Sequence, residues 1–427
     1  MRAVESIAPE SILAAPRDDA PDVRWLSIVG IGEDGLDGLS PAARAVIEAA
    51  EIVFGGVRHL ALAGDAVKGE ARAWPSPFER GVAEVLALRG RKVCVLASGD
   101  PFLHGVGAVL ARHVAAGEIA AMPAPSSFSL AASRLGWALA ETGCLTVHGR
   151  SLDLVRAHLH PGRRLLVLTS DGAGPGEIAR LLTESGFGGS TLHVLEALGG
   201  PRERVRSGPA EGFDLADVDP LNLVGIELVA GEGARIIARA PGLPDDLFEN
   251  DGQLTKREIR AVTLSALSPR RGELLWDIGA GAGSVGIEWM LADPSLRAIG
   301  IEADPERAAR ARRNAGALGV PGLEIVEGLA PDALAGLPVP DAVFVGGGAG
   351  APGVLDAAIA ALRPGGRLVV NAVTLETEAL LVARHGAQGG ELVRLSVARA
   401  APVGGLTGWR PAMPVTQWIW VKPGARP

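Results

Sequence analysis

The stretch "GELLWDIGAGAGSVGIEWM" (Gly272–Met290) decides the fold. An apolar run ends on Asp277. Glycine then takes every second place, at Gly279, Gly281 and Gly283, before a second apolar run begins. A strand that enters a helix through so bare a turn belongs to a parallel α/β sheet, whose ligands sit beyond the carboxyl ends of the strands. Glycine there lets a ligand come close to the backbone. A similar turn, "WLSIVGIGEDGLDGLS", starts at Trp25. Two different turns of this kind in one chain raise the expectation of two sites.

Outward from Gly272, strands and helices alternate. "ELLWDIGA", "RAIGIEAD", "LEIVEG", "DAVFVGGG" and "RLVVNAV" read as strands, with "PERAARARRNAGALG" and "GVLDAAIAALRPGG" as helices between them. Continuous apolar strands with helical crossovers mean a sheet covered on both faces. The last run, "PVTQWIWVKP", is expected to add an antiparallel edge strand. In the first half, "LSIVGIG", "KVCVLASG", "CLTVHG", "RLLVLTS", "TLHVLEAL" and "NLVGIELV" read as strands. "SPAARAVIEAAEIV" reads as a helix capped by Ser40, with Pro41 in its first turn. Between the halves, "RAPGLPDDLFENDGQ" concentrates Pro241, Gly242, Pro244 and Gly252. The expected organisation is a flexible tail over 1–24, one domain over 25–238 and a second over 241–427. No internal repeat is visible.

Composition bounds the function. A chain of 427 residues exceeds one core, and 48% hydrophobic residues suffice for packed domains. A net charge of −8 gives no broad attraction to nucleic acid or to an anionic membrane. No apolar run approaches the roughly 18 residues of a membrane span. Cys94 and Cys144 form no disulfide framework and read as buried, which fits a cytoplasmic enzyme. Tyrosine is absent, so no tyrosine serves as acid or base. There is no nucleophile elbow, no HExxH and no CxxC. His158 and His160 flank one leucine without an evident third ligand, so they read as surface residues and no metal is expected.

The glycine turn fits two registers. Gly281, Gly283 and Gly286 match GxGxxG, the dinucleotide fingerprint. Asp277, Gly279, Gly281 and Gly283 match instead the DxGxGxG turn that resembles class I S-adenosylmethionine (SAM) methyltransferases. Glu302, ending the next strand, serves either ligand, since a carboxylate there accepts ribose hydroxyls. Asp277 and "DAVFVGGG" favour the second register. A tight turn with nothing bound is the bland alternative.

The motifs "LTKREIRAVTLSAL", "WDIGAGAGSVGIE", "EGLAPDAL", "DAVFVGGG" and "LRPGGRLVVNAVTLE", in that order, resemble the precorrin-8-forming, decarboxylating methyltransferases of cobalamin biosynthesis. The resemblance spans nearly all of 241–427. It implies a Rossmann-like sheet and SAM contacts at Thr255, Asp277, Gly279, Gly281, Gly283, Glu302, Gly328, Ala330 and Gly346. Thr255 and Glu258 also read as a capping box for the helix that follows.

In the first half, "SIVGIGEDGLDGLS", "LASGDPFLHGVG", "PAPSSFSLAASRLGW", "VLEALGGPRERV" and "LVGIEL" resemble the tetrapyrrole methylase family. That family has two α/β subdomains with SAM bound between them. The resemblance implies cofactor contacts at Gly30, Gly32, Gly99, Asp100, Pro101, Ser126 and Ser127. The usual turn is GxGPGD; here Glu33, Asp34 and Gly35 stand in place of Pro, Gly and Asp. Together the two resemblances imply one SAM per domain, methylation of a polycarboxylate tetrapyrrole at carbons 5 and 15, loss of the carbon-12 acetate carboxylate, and a homo-oligomer.

A sulfonium methyl is already activated, so the protein's task is alignment and exclusion of water. Cations should meet the substrate's acetates and propionates: Arg134, Arg150, Arg202 and Arg204 in the first half, Lys256, Arg257 and Arg260 in the second. His104, Arg257 and Arg260 are the candidates nearest the chemistry. Two other readings stay open: a tandem methyltransferase for a different tetrapyrrole, and a non-catalytic SAM- or dinucleotide-binding sensor.

Overall fold

The structure is a computed structural model that describes residues 24–424. The expected tail over 1–24 lies, but for Arg24, outside the described residues. Two compact units are present. One comprises the described residues up to Thr146 with His193–Arg206 and Asp217–Gly225. The other comprises Val147–Leu192, Ser207–Ala216 and the chain from Ile226 on.

In the first unit, β1 (Leu26–Ile31), β2 (Ile52–Gly55), β3 (Glu70–Ala73), β4 (Val93–Ser98) and β5 (Ile119–Met122) form a sheet in the order β3-β2-β4-β1-β5. Every pair is parallel. Successive side chains point to opposite faces. Leu26 and Ile28 therefore join Phe54 and Val95 in one core, while Val29 and Ile31 join Val53 and Leu96 in the other. Both faces are covered, which is why the strands read as unbroken apolar runs. Ser40 Oγ accepts from Ala43 N at 3.1 Å at the start of the helix Pro41–Ala49, as the capping pattern predicts.

A second five-stranded sheet is made of β6 (Thr142–Thr146), β7 (Arg164–Leu168), β8 (Thr191–Glu196), β9 (Arg204–Pro209) and β10 (Asn222–Glu227). Cys144, read as buried, is exposed; Cys94 is buried as expected. The run around Cys144 is apolar, but the alternation of β6 turns this side chain outward. His158 and His160 are half-buried rather than on the surface. Burial, with Arg163 and Arg239 adding to it, pushes the His158 imidazole down to about 4.

The remaining strands are β11 (Leu274–Ile278), β12 (Arg297–Glu302), β13 (Glu324–Glu327), β14 (Ala342–Val345), β15 (Arg367–Ala372), β16 (Glu391–Leu395), β17 (Ala398–Val403), β18 (Leu406–Pro411) and β19 (Val415–Val421). Seven of them form a sheet in the order β13-β12-β11-β14-β15-β19-β16, and β17 pairs with β18 as a hairpin. β11 to β15 are parallel. β19 is antiparallel to both its neighbours. It was expected at the edge, but β16 covers its outer side. Gln417 and Trp418 are accordingly inaccessible to solvent. β16 carries the weaker signal because its residues are only partly buried.

Two local expectations change. The helix Arg257–Leu267 starts after Lys256 with no side-chain cap, so Thr255 and Glu258 make no capping box. Glu258 pairs instead with Arg399. The breaker-rich stretch, though largely exposed, is anchored to the core at a few buried residues. Leu243 and Phe248 are buried in one core with Ile237, Leu264 and Trp289. Gly242 N and Leu243 N donate to Glu288 at 2.6 and 2.9 Å. The segment Leu152–His158 packs at the end of the helix Pro305–Ala317. A Cβ on Gly319 there would lie 2.6 Å from Ala157 N.

Candidate active sites

The chain leaves β11 for β12 on one side and later fills β14 and β15 on the other. The order reverses between β11 and β14, and a crevice beyond the carboxyl ends at such a point is where open α/β sheets bind ligands. The glycine turn lies there. Gly279, Gly281 and Gly283 have φ of 74°, 57° and 75°, which side chains rarely adopt. A Cβ on Gly279 would also fall 2.9 Å from Gly347 O. Over Gly281 the space is open: its Cβ would meet nothing nearer than Gln253 O at 3.7 Å.

Two acids frame this turn. Asp277 is buried, and its Oδ2 accepts from Gly286 N at 3.0 Å. Burial pushes its carboxyl up to about 7, and the neighbouring Glu302 charge adds to the rise. Glu302 accepts from Gly281 N at 2.7 Å and from Asp304 N at 3.0 Å. Each carboxylate oxygen has a further lone pair, so both bonds leave acceptor capacity. Gly328 N donates to Glu302 O at 2.9 Å, and Gly346 N to Ile278 O at 3.1 Å. The turn, Asp277, Glu302, Gly328 and Gly346 are thus brought together. Ala330 follows Gly328, half-buried against the sheet. Thr255 lies two residues beyond Gln253 in sequence, and its carbonyl accepts from Arg260 Nη1. A bare left-handed turn, open space above Gly281 and an acceptor carboxylate on the next strand fit the adenosyl and methionyl parts of SAM.

Arg260 is not available to a substrate. It is fully buried, with Nε donating to Glu288 at 2.5 Å, Nη1 to Asp245 at 3.2 Å, and the guanidinium 4.6 Å from the Phe248 ring. Lys256 and Arg257 are exposed. Two buried residues escaped the sequence reading. Glu288 anchors the 242–243 backbone, and Asn314 clamps Glu249 O and Ala282 O at 2.9 Å each. Glu288 closes the motif that begins at Trp276, but nothing in the motif marks it as an anchor, and Asn314 lies in a helix with no motif of its own.

The loops after β1, β4 and β5 are sewn together by backbone bonds. Gly99 N donates to Ile31 O at 3.2 Å and Ala124 N to Gly99 O at 3.1 Å. A Cβ on Gly30 would fall 1.9 Å from Gly99 O, so only glycine fits. Asp100 Oδ1 accepts from Phe102 N at 2.8 Å, shaping the turn that contains buried Pro101. Ser126 Oγ accepts from Ser129 N at 3.1 Å and caps the helix that Ser127 begins. The departure at Glu33–Gly35 has a physical account. Glu33 pairs with Arg58, Asp34 folds back against Gly32 and Gly38, and Gly35 takes φ 59°. His104 is exposed at φ 57°, edge-on to Phe128 at 6.3 Å. Arg134 pairs with Glu203, Arg202 with Asp219, and Arg204 with Glu196, while Arg150 is exposed.

Each half resembles a known family. Residues 26–214 match the family model of tetrapyrrole (corrin/porphyrin) methylases, and residues 246–422 that of the precorrin methyltransferase domain. Two such modules define the class: a SAM-dependent methyltransferase of α/β fold. A Sinorhizobium sp. protein, precorrin-6Y C(5,15)-methyltransferase [decarboxylating], is 62% identical over 93% of this chain and 96% of its own length. The chain belongs to the family of precorrin-6Y C(5,15)-methyltransferases (decarboxylating). A probable cobalt-precorrin-6B C(15)-methyltransferase (decarboxylating) from Pyrobaculum calidifontis is 38% identical over 39% of this chain and 89% of its own. A cobalt-precorrin-7 C(5)-methyltransferase from Salmonella typhimurium is 30% identical over 42% of this chain and 88% of its own.

Proposed function

We propose that residues 25–238 methylate carbon 5 of a precorrin macrocycle, and that residues 241–427 methylate carbon 15 and release the carbon-12 acetate carboxylate as carbon dioxide. The net reaction converts precorrin-6B to precorrin-8X. One observation carries this reading. The full-length relative is named for both positions, while two relatives named for one position each align with about two fifths of this chain.

SAM supplies an activated methyl group when bound. In the second half, Glu302 receives the ribose hydroxyls, and the Gly279–Gly283 turn admits the ligand to the backbone. Asp277 supports the turn from beneath through Gly286 N. In the first half, Gly30, Gly32, Gly99, Asp100, Pro101, Ser126 and Ser127 shape the corresponding seat. Catalysis rests on alignment and dryness, since the macrocycle supplies the nucleophilic carbon. At carbon 5 a carbon–carbon bond would form as the methyl's bond to sulfur breaks, the sulfur keeping that electron pair and the ring giving up a proton. In the decarboxylation the electron pair of the broken bond would enter the conjugated ring, which then takes up a proton. The reading places the enzyme in the cytoplasm as a homo-oligomer, which light scattering on the purified protein tests.

The decisive experiment is turnover. Purified protein with SAM and precorrin-6B should give a product that has gained two methyl groups and lost one carbon dioxide by mass spectrometry. A protein that binds SAM yet leaves the macrocycle unchanged would support a sensor instead. NAD released on denaturation would favour the GxGxxG register.

A further inference from the structure

Five polar side chains converge beyond the carboxyl ends of β1, β2 and β4. Glu33 follows the Gly30–Gly32 turn, and its side chain is only 11% exposed. Arg58 Nη1 donates to Glu33 Oε1. Arg202 Nη2 stands 3.7 Å from Glu33 Oε2, too far for a direct hydrogen bond. Arg58 Nη2 donates to Ser98 Oγ at 2.9 Å, and Ser98 lies directly before Gly99 and Asp100. His59 Nε2 is 2.9 Å from Arg58 Nη2 and 2.8 Å from Ser98 Oγ. A Cβ on Gly200 would come within 2.6 Å of Glu33 Cβ, so glycine is needed to let the two loops meet.

The electrostatics agree with the geometry. Burial pushes the His59 imidazole down to about 4, and Arg58 adds to the fall. His59 is therefore neutral at neutral pH, and its Nε2 lone pair can accept from Arg58. Burial and the Arg202 charge both lower the Arg58 guanidinium from its ordinary value. Two cations are held near each other, and Asp219 ties Arg202 in place from its other side. A carboxylate already occupies the space between them, so the site's chemistry is declared by its own occupant. A planar guanidinium fixed by Ser98 and His59 suits carboxylate recognition better than a mobile surface charge.

We propose that Arg58, braced by Ser98 and His59 and backed by Arg202, is a carboxylate-recognition subsite of the first half, with Glu33 as its resident placeholder. The ligand class is an acetate or propionate side chain of the macrocycle, which exchanges with Glu33 on binding. This rests on the reading of the first half as a carbon-5 methyltransferase. It also gives a reason for an acid at position 33, where the tetrapyrrole methylase turn has proline.

The test uses the full-length protein, SAM and precorrin-6B, following each methylation separately. Arg58→Ala should raise the macrocycle KM for carbon-5 methylation about tenfold to a hundredfold, the loss of a charged hydrogen bond. The dissociation constant for SAM and the isolated carbon-15 step should hold. Arg58→Lys should restore only part of the loss, since an ammonium keeps the charge without the fork. Glu33→Gln keeps the shape and removes the competing charge, so its KM should fall below that of the wild type. A Glu33→Gln variant as impaired as Arg58→Ala would make the pair a structural bridge and overturn the proposal. An unchanged KM in Arg58→Ala would overturn it as well. If the wild type methylates no macrocycle, the functional reading itself has failed, which separates the two outcomes.

Discussion

Asp277 and Glu302, on neighbouring strands, hold the start of one helix and the glycine turn that leads into it. Asp277 Oδ2 accepts from Gly286 N at 3.0 Å, and Glu302 Oε2 accepts from Gly281 N at 2.7 Å. Both carboxyls are buried, and the Glu302 charge adds to the cost of charging Asp277. SAM carries a sulfonium and an ammonium against one carboxylate, so it brings net positive charge to this place.

The first prediction is a proton linkage. Asp277 holds its proton up to about pH 7 in the folded chain, against an ordinary value of 3.8. The folded state therefore binds more protons than the unfolded state between those values, and this group's contribution to stability falls as pH rises from about 4 to about 7. Asp277→Asn should flatten that decline in denaturant titrations. A bound cation favours the ionised form, so SAM affinity of the second half should rise with pH through about 7 and level off above it. Calorimetry in two buffers of different ionisation enthalpy should register a released proton. An affinity independent of pH from 6 to 8 (about one unit each side of the midpoint) would contradict the assignment.

Glu302→Ala should weaken SAM binding in the second half about tenfold to a hundredfold, from the loss of roughly 1.5–3 kcal/mol of charged hydrogen bonding. It also strands Gly281 N and Asp304 N, which Glu302→Gln would still partly satisfy. With limiting SAM, either variant should accumulate a product methylated at carbon 5 alone. Saturating SAM should restore most of the carbon-15 rate. Loss of both methylations together would mean that the sites are coupled or the fold is damaged.

Two glycine substitutions should behave differently. Gly30→Ala puts a Cβ at 1.9 Å from Gly99 O, which backbone must move to accommodate, so the first half should unfold or misassemble. Gly281→Ala meets nothing nearer than Gln253 O at 3.7 Å, and its cost is the left-handed backbone, about 1–2 kcal/mol. Its methyl projects into the space a ligand needs. Gly281→Ala should therefore fold, by circular dichroism and thermal melting, yet bind SAM poorly. Normal SAM binding would move the ligand away from Gly281.

The arginines separate in the same manner. Arg260→Ala leaves Glu288 buried without its cation, a loss of about 3–5 kcal/mol. Arg257→Ala removes an exposed charge and should leave the melting temperature within a degree or two, since such surface changes stay near ±0.5 kcal/mol. If Arg257 meets a substrate carboxylate, only the macrocycle KM should move.

The parallel strands and the glycine turn were legible because they obey local rules. A doubly covered strand is apolar throughout, and a run of left-handed positions strongly favours glycine. Ser40 was legible for the same reason. Position-dependent features were not. Arg260 read as a cation for a substrate carboxylate, since its buried partner Glu288 is 28 residues away in sequence. β2 was hidden because "EIV" runs on from a helical pattern, and β19 looked terminal because β16, which covers it, is half polar. Cys144 and the Glu33–Arg58 pair likewise depend on which face or loop the fold presents, a fact no spacing encodes.

The last prediction concerns where the second half begins. The breaker-rich stretch suggests a clean cut near residue 240, with 1–238 and 241–427 each folding and binding SAM. Ile237 complicates it, being 3% exposed in one core with Leu243, Phe248 and Trp289. Burial of an isoleucine side chain contributes about 1.5–3 kcal/mol. Arg235 also donates to Leu247 O at 2.7 Å, which ties the preceding segment to the same place. A fragment over 226–427 should accordingly be more stable than one over 241–427 by about that margin. Both should keep the Gly279–Gly283 turn and bind SAM with equal affinity. Urea titrations of the two fragments measure the difference directly. Equal midpoints would show that Ile237 adds nothing to this core and would favour a boundary at 240. Insolubility of both would mean that the packing of Leu152–His158 against the helix Pro305–Ala317 is required for folding, and that the chain cannot be divided at either point.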